Sequence, residues 1–422
     1  MSMPCGFKIF LIALATIVGG VLTAIAIAAL VENAAAAAVT LLNERKPPTP
    51  ESPADNAIND ALGWLKRHQH FNGHWASADV YSRCKNPKKQ CATEDWPYPD
   101  TGGLVGHDVG VTALALLAFV RAGHTHKSKG EYAPIVSKAL GWLLKKQVSD
   151  AASPTHGRFG AADVETWMYN HAIAGLALTS LLLASNDRTR LEKPITDALA
   201  FILAAQSEAG GWRYEVGDKL SDTSVTAWVA QFLGAAKAAR AKELLQLDIA
   251  VWDERSARAR KWLAANTAGS GVCGYRVPGD SGSRFEKYAE HFSVHPFSRV
   301  PTMTAAGILA QLDLGAQMTE PHIAAGLKLL SEKPPAWKEY AEVGPRLSTI
   351  NFYYWYFGTL AMQRRGGEEF AAWRQAIESV LIINQRHDGC ADGSWDTKCE
   401  WSAAGGRVYM TAMGVLALAG AK

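Results

Sequence analysis

The chain has 422 residues, of which 48% are hydrophobic and 20% charged, and its formal net charge is +3 at pH 7. This is the composition of a globular protein that is long enough to bury a large apolar core. The small positive charge, without a long basic stripe or an RNA-binding signature, excludes nucleic acid as an expected partner.

The N-terminal region differs in composition from the rest of the chain. Residues Ile9 to Val31 are apolar and uncharged, and a helix of this length can cross about 30 Å of hydrocarbon. Lys8 precedes them and Glu32 follows, which favours a cytoplasmic N-terminus and an extracytoplasmic domain on the periplasmic or cell-surface side. The sequence therefore predicts a transmembrane anchor.

A cleaved signal peptide is the alternative, with a small-residue cleavage site between Ala34 and Ala38. The apolar stretch is longer than the usual signal core of about 7–15 residues, which favours the uncleaved anchor. We expect residues 1–45 to form the cytoplasmic tip and anchor, residues 46–54 a Pro-rich spacer, and residues 55–422 the folded domain.

Four of the six cysteines fall into two close pairs, Cys84 with Cys91 and Cys390 with Cys399. Both pairs lie in segments rich in Gly, Asn, Asp, Lys and Pro, which is the composition of loops. Each pair could close a small disulfide ring worth about 2–3 kcal/mol. Two disulfides would agree with export to an oxidising compartment; four reduced thiols in a cytosolic protein are the alternative.

A sequence repeat organises the folded domain. The segment from Ala61 to Trp75 recurs from Ala139, from Ala198, more weakly from Ala259 and again from Val380, and a degenerate copy starts at Ala324. The clearest copies share an aromatic–aliphatic pair, a Gln five residues after the aromatic, then Gly and a second aromatic. Internal repeats of this length are typical of stacked supersecondary units.

A second, apolar segment follows each copy. These segments begin at Val109, Tyr169, Asp222, Met303, Asn351 and Val408. The first helix of each unit has a charged face and should lie outside, whereas the second is apolar on nearly all sides and should be buried between layers. No segment shows convincing strand alternation. The sequence predicts an all-α fold of about six outer–inner helical hairpins, either closed into a ring or open as a solenoid.

The repeat resembles the QW repeat of squalene–hopene and oxidosqualene cyclases, in the terpene cyclase and protein prenyltransferase superfamily. The residues that carry this resemblance are Trp64, Leu65, Gln69, Gly73 and Trp75, then Phe201, Ile202, Gln206, Gly210 and Trp212, and more loosely Gln385, Gly393 and Trp395. The resemblance extends from about residue 55 to residue 420. It implies a closed α/α-toroid, in which the Gln amide bonds the terminus of the next helix.

Polar residues stand just ahead of the inner helices or in their first turns. In a toroid these N-termini meet at one rim of the cavity, where helix dipoles favour anions and capping side chains. The candidate ligand contacts at this rim are Asp108, His171, Asp222, Arg407 and Tyr409. The alternative is that Asp108 and Asp222 only cap their helices and that His171 bonds a neighbouring loop.

The segment Asn351 to Phe357 contains six consecutive aromatic residues. Such a run covers every side of a helix, so some of its rings must face the axis. The candidates are Tyr353, Tyr354, Trp355 and Tyr356. Aromatic faces can stabilise a bound cation or a carbocation, or they can simply pack between the helix layers.

Resemblance also identifies where an acid would lie. Cyclases of this family protonate an alkene with an aspartic acid in a D-x-D-D-T-type sequence, and the matching residues are Lys219, Leu220, Ser221, Asp222 and Thr223. Ser221 takes the position of the proton donor, and a hydroxyl cannot protonate an alkene. Asp222 is therefore the one catalytic candidate.

Protein prenyltransferases instead need a zinc-bound thiolate with Asp, Cys and His ligands. Asp388, Gly389 and Cys390 resemble their D-x-C element, but they lie in the loop after the Gln motif. Cys399 is also the expected partner of Cys390. We accordingly expect no metal and no cofactor.

The expected function is binding of a hydrophobic, isoprenoid-like ligand that enters the toroid cavity from the bilayer. As an enzyme the chain would be a terpene cyclase-like isomerase or a transferase-like protein. The first alternative is a non-catalytic envelope scaffold or protein-binding toroid. The second is a glycan-active toroid, which would need paired carboxylates across the cavity, with Asp108 and Asp222 as candidates.

Overall fold

The computed structural model describes residues 52–84, 91, 103–161, 167–280, 301–340, 347–399 and 401–422. The predicted anchor, with most of the predicted spacer, lies outside the described residues.

The described part of the chain forms outer and inner helices in strict alternation. The outer helices are α1 (Pro53–His68), α3 (Ala133–Lys145), α5 (Arg188–Ala204), α7 (Ile249–Ala265), α9 (Pro321–Ser331) and α11 (Gly367–Ile383). The inner helices are α2 (Asp108–Arg121), α4 (Trp167–Ser185), α6 (Thr223–Ala241), α8 (Thr302–Asp313), α10 (Phe352–Arg365) and α12 (Ser402–Gly420), the last interrupted at Gly406. Short 3-10 turns at Val80–Arg83 and Gly389–Ala391, and an antiparallel pair of two-residue strands, β1 (Glu339–Tyr340) and β2 (Leu347–Ser348), complete the described elements.

The inner helices form a closed ring. Each packs on the next, from α2 through α4, α6, α8 and α10 to α12, and α12 packs in turn on α2. The outer helix α1 also lies against α12 and α11, so the beginning and the end of the domain are neighbours. The toroid predicted by resemblance is therefore confirmed, and the open solenoid is excluded.

Burial separates the two rings as the hydrophobic pattern predicted. Inner helix α4 is buried over almost its whole length, whereas outer helix α1 buries one stripe, which includes Ile58, Leu62 and Leu65. Among the described helices, α4 alone is long and apolar enough to span a bilayer, and it is mostly buried inside the ring.

The repeated Gln joins four of the outer helices to the next. Its Nε2 donates to a carbonyl in the first turns of the following outer helix: Gln69 to Ile135 O at 2.9 Å, Gln147 to Pro194 O at 2.7 Å, Gln206 to Arg255 O at 2.8 Å and Gln385 to Ala57 O at 2.8 Å. The last of these bonds joins the final repeat to the first helix and closes the ring.

The Trp and Gly of the repeat fix the loop that leaves each outer helix. Trp75 Nε1 donates to Leu65 O at 2.8 Å, and Trp212 Nε1 donates to Ile202 O at 2.7 Å. Gly73 has a φ of +106°, and a Cβ there would lie 2.3 Å from the carbonyl oxygen of Lys138 on the next outer helix. Only glycine combines this backbone conformation with so close an approach.

Candidate functional site

A cavity opens on the axis of the toroid, where the N-terminal ends of the six inner helices meet. It encloses about 900 Å³, including its open mouth, and every inner helix contributes to its wall. Aromatic side chains dominate that wall: Tyr169, Tyr214, Trp228, Tyr275, Tyr353, Trp401 and Tyr409. A cavity with an aromatic wall and few polar groups is suited to an apolar molecule.

Few polar groups interrupt the wall. His107, Asn170 and Ser224 line the cavity together with the tyrosine hydroxyls, and no described lining residue carries a carboxylate. The Asn170 amide is engaged within the protein, because its Oδ1 accepts from Gly110 N at 3.0 Å and its Nδ2 donates to Gly106 O at 2.9 Å. The Ser224 and Tyr353 hydroxyls lie 2.7 Å apart. The described wall can thus orient a ligand through hydroxyls while contacting it mainly through rings.

Asp222 does not line the cavity but lies behind the tyrosines of its wall. It is fully buried and caps α6, where its Oδ1 accepts from Val225 N at 2.7 Å. Its own amide donates to Trp212 O at 3.0 Å, which ties the α6 N-terminus to the repeat tryptophan. Next to it, the hydroxyls of Tyr214 and Tyr275 meet at 2.7 Å on the cavity wall.

Burial raises the pKa of Asp222 from its ordinary value of 3.8 to about 7, although the Val225 amide, the Tyr275 hydroxyl and the Arg213 guanidinium oppose the shift. A buried carboxylate loses its water, and the Val225 amide, the Tyr275 hydroxyl and a guanidinium 4.0 Å away only partly replace that water. After burial itself, the charge of Asp222 also helps to raise the pKa of Tyr169 and of Tyr353. Asp222 therefore contributes to the electrostatics of the aromatic wall.

Two of the predicted ligand contacts, Tyr353 and Tyr409, lie on the cavity wall. Asp108 does not line the cavity. Its Oδ1 accepts from the backbone amide of Ser77 at 2.8 Å and from the Ser77 hydroxyl at 3.0 Å, so it holds the loop that precedes α2.

His171 is placed between the helix rings and not on the cavity. Phe159 N donates to its Nδ1 at 3.1 Å, and its Nε2 lies 3.2 Å from the carbonyl oxygen of Ala198, to which it donates. Burial lowers the pKa of His171 to about 3, so the ring is neutral. This is the loop-bonding alternative that the sequence left open.

Arg407 is also buried in the protein and does not line the cavity. Its Nη1 donates to Ser394 Oγ at 2.9 Å and its Nη2 to Asp396 Oδ1 at 2.9 Å. It connects the start of the last inner helix to the loop after the last outer helix. Its charge is neutralised there.

The remaining aromatic candidates pack between the layers. Tyr354 donates to Lys333 O at 2.6 Å, and Tyr356 donates to Gln231 Oε1 at 2.7 Å. Trp355 packs on Phe352 with ring centroids 4.8 Å apart. Only Tyr353 of the four candidates reaches the wall, because one helix shows the axis a single stripe of side chains.

Neither predicted disulfide is present: Cys84, Cys91, Cys390 and Cys399 form none. The sulfurs of Cys84 and Cys91 are 3.6 Å apart, against about 2.05 Å in a disulfide. Cys390 Sγ lies 3.4 Å from His68 Nε2. Closure of the ring brings the loops after the first and last outer helices together, which spacing along the chain does not reveal.

Sequence reasoning did not single out most of the wall. Tyr275 is the closing aromatic of the weak repeat copy, and Tyr214 lies two residues after the closing Trp212. Both stand in the loops that lead from an outer to an inner helix, and in a toroid these loops border the axial cavity. An aromatic residue at or just beyond the end of a repeat copy could thus have indicated a residue of the cavity wall. Tyr169 and Trp228 lie within apolar helices that offered no such signal.

Solved structures are similar to this chain in fold. An α-1,6-mannanase variant from Salegentibacter is 8% identical, with 87% of this chain and 98% of that chain covered and a TM-score of 0.52. A glycosidase is 11% identical over 86% of this chain and 96% of that chain, with a TM-score of 0.50. The type II terpene cyclase MstE from Scytonema is 15% identical over 88% and 98%, with a TM-score of 0.49.

A comparison with curated proteins finds no match. The family model of the squalene-hopene cyclase C-terminal domain matches residues 29–300, which is more than half of the chain. The match includes four of the repeat copies, the weak one from Ala259 among them, and the stretch around Asp222. The chain belongs to the family of the squalene-hopene cyclase C-terminal domain.

Proposed function

We propose that this protein binds a hydrophobic, isoprenoid-like ligand in the axial cavity. The aromatic wall of this cavity is the observation that carries the proposal. The family is named for a cyclase of squalene, an isoprenoid hydrocarbon. Burial of an isoprenoid chain would contribute about 0.8 kcal/mol for each methylene group removed from water.

The aromatic and aliphatic parts of the cavity wall both suit a branched, unsaturated chain. The ring of Trp228 is edge-on to Tyr353, with centroids 6.1 Å apart, and both belong to the wall. Ile173, Leu114 and Met303 supply aliphatic surface beside them. Rings offer flat surface and a favourable quadrupole, while aliphatic groups fill the spaces between methyl branches.

The proposed function does not include cyclisation started by the family's aspartic acid. Ser221, at the donor's position, lies 2.6 Å from the Ser207 hydroxyl and accepts from Gly211 N at 2.9 Å, so its hydroxyl is engaged in the loop. Asp222 caps α6, and a pKa near 7 makes it a weaker acid than an ordinary aspartic acid. Protonation of an alkene demands a stronger one.

Glycan cleavage is disfavoured by the same wall. Glycosidases of the common type place two carboxyl groups about 5–10 Å apart on either side of the scissile bond. The described lining residues supply none, Asp108 is bonded to a loop, and Asp222 lies behind the tyrosines. The likeness to glycosidases concerns the fold alone.

A larger side chain on the cavity wall tests this proposal, because it should hinder binding of the ligand. Ile173 lies on the wall and is 6% exposed. Ile173→Trp would narrow the cavity, and Ile173→Val is the matched control that does not. We expect geranylgeraniol to quench tryptophan fluorescence on binding to the wild type and to Ile173→Val, and Ile173→Trp to weaken that binding at least tenfold, about 1.4 kcal/mol.

Mass spectrometry of lipid extracted from the purified wild type provides the second measurement. An isoprenoid that copurifies with the wild type and is depleted from Ile173→Trp would support the proposal. Equal, weak binding by all three proteins, with no copurifying lipid, would contradict it and favour a non-catalytic scaffold.

We also propose that residues Ile9 to Val31 anchor the domain on the extracytoplasmic face of a membrane. Their apolar composition supports this. An apolar ligand could then pass from bilayer to cavity without crossing water. Resistance of the protein to alkaline carbonate extraction, with the domain open to protease outside, is the expected result; release by carbonate would contradict the proposal.

A further inference from the structure

Four side chains with metal-binding chemistry meet where the toroid closes. They are His68, at the end of α1, Cys84 and Cys91, in the loop that follows, and Cys390, in the loop after α11. Their ligand atoms all lie within 4.8 Å of one another. His68 and Cys91 are buried, and Cys84 and Cys390 are half-buried.

We propose that these four residues bind a zinc ion, with three thiolate sulfurs and the His68 Nε2 as ligands. Sulfurs about 2.3 Å from a tetrahedral ion lie about 3.8 Å apart, and a sulfur and a nitrogen ligand lie about 3.6 Å apart. Here Cys84 Sγ and Cys91 Sγ are 3.6 Å apart. The sulfurs of Cys91, Cys390 and Cys84 lie 3.3, 3.4 and 3.8 Å from His68 Nε2.

The His68 ring is held in the form that a metal requires. Its Nδ1 lies 2.9 Å from the carbonyl oxygen of Trp64, which can only accept, so Nδ1 carries the proton and Nε2 presents its lone pair to the sulfurs. A carbonyl behind a ligating histidine is the usual second contact of a zinc site. The Trp64 ring stacks on His68 with centroids 4.1 Å apart and fixes the ring plane.

Neighbouring positive charges would stabilise the zinc-bound site. Three thiolates and one neutral imidazole give a Zn²⁺ site a net charge of about −1. Arg67 and Arg83 both act electrostatically on His68 with positive charge. The backbone amide of Cys91 also donates to Cys84 Sγ at 3.4 Å, which stabilises charge on that sulfur.

Four protein ligands leave no open position, so the site is structural and not catalytic. It would connect the loop after the first outer helix to the loop after the last, 322 positions away along the chain. The bond from Gln385 to Ala57 and the bond from Arg67 Nη2 to Asp392 O join the same two regions. The zinc ion would thus stabilise the closed ring at its seam, the place where the loops after α1 and α11 meet.

Metal analysis of the full chain, purified without chelator, tests this proposal. We expect about one zinc ion per wild-type chain, and X-ray absorption with three sulfurs at about 2.3 Å and one nitrogen at about 2.0 Å. Cys390→Ser should lose the ion. Cys399→Ser, which removes the cysteine nearest to Cys390 in sequence, is the matched control and should keep it.

The proposal is overturned if the wild type carries no zinc, if another metal occupies the four ligands, or if peptide mapping finds Cys84 joined to Cys91 by a disulfide. Equal zinc contents in Cys390→Ser and Cys399→Ser would overturn it as well. Should Cys390→Ser fail to fold, the zinc content and the absorption spectrum of the wild type still decide.

Discussion

Replacing Asp222 by Asn should make the protein less sensitive to pH. Asparagine caps a helix as well as aspartate does, so the bond from Val225 N is kept while the ionisable group is lost. The wild-type carboxyl is fully buried and has a pKa of about 7, against an ordinary value of 3.8. The two proteins therefore differ mainly in the cost of ionising this one group.

The sign of the effect follows from proton linkage. Because the folded-state pKa is raised, the folded protein binds the proton more tightly than the unfolded chain does. The stability that this group contributes is full below pH about 4, falls as the pH rises, and is lost above pH about 7. Each pH unit well inside that window corresponds to about 1.4 kcal/mol, and the slope halves at the folded-state pKa, so from pH 5 to pH 7 the wild type should lose about 2 kcal/mol relative to Asp222→Asn.

Urea unfolding of both proteins between pH 5 and pH 8, followed by circular dichroism, measures the difference between their free energies of unfolding. The contributions of the other titrating groups cancel in this difference. Asp248 caps outer helix α7 in an exposed position, so Asp248→Asn reports the effect of the capping exchange without burial. A difference between the wild type and Asp222→Asn that stays constant with pH, or that favours the wild type as the pH rises, would refute the reasoning.

Two further predictions concern the repeat. Gln385→Ala removes the amide that donates to Ala57 O and to Gly393 O where the ring closes, and should lower the free energy of unfolding by about 1–3 kcal/mol in urea titrations. Gly73→Ala should cost more than Gly130→Ala, since both glycines have positive φ but only the first would press a Cβ against Lys138 O, 2.3 Å away; thermal unfolding compares them.

Each of these two predictions has an internal control. Gln246 is exposed on the surface, so Gln246→Ala should leave stability within about 0.5 kcal/mol of the wild type; an equal loss in Gln246→Ala and Gln385→Ala would show that the tie contributes nothing. Equal losses in Gly73→Ala and Gly130→Ala would mean that backbone strain, and not the contact with the next outer helix, makes glycine necessary.

The fold could be read from the sequence because one physical pattern recurs. The copies at Trp64 and Phe201 place Gln and Gly at the same distances from the aromatic pair, the other copies keep part of this pattern, and each copy precedes a largely apolar helix. These features determine which helix lies outside and how it contacts the next one. Closure followed from family resemblance, since periodicity alone does not distinguish a ring from a rod.

The site was harder to predict, because it depends on where the ring brings residues from different repeats. A polar residue at the start of an inner helix can face the cavity, as Asn170 does, or the layer behind it, as His171 does, one position later. The cysteine prediction failed for a related reason. Proximity in sequence favoured Cys399 as the partner of Cys390, whereas closure places Cys390 beside His68.

Photoaffinity labelling tests the central claim, that the toroid axis holds an apolar ligand, most directly. A geranylgeranyl analogue with a benzophenone group would be crosslinked to the purified protein and the labelled peptides mapped. We expect labels in the first turns of the inner helices, at peptides containing Trp228 or Tyr353, and competition by unmodified geranylgeraniol. Labels confined to the outer helices, or labels that the competitor does not remove, would contradict it.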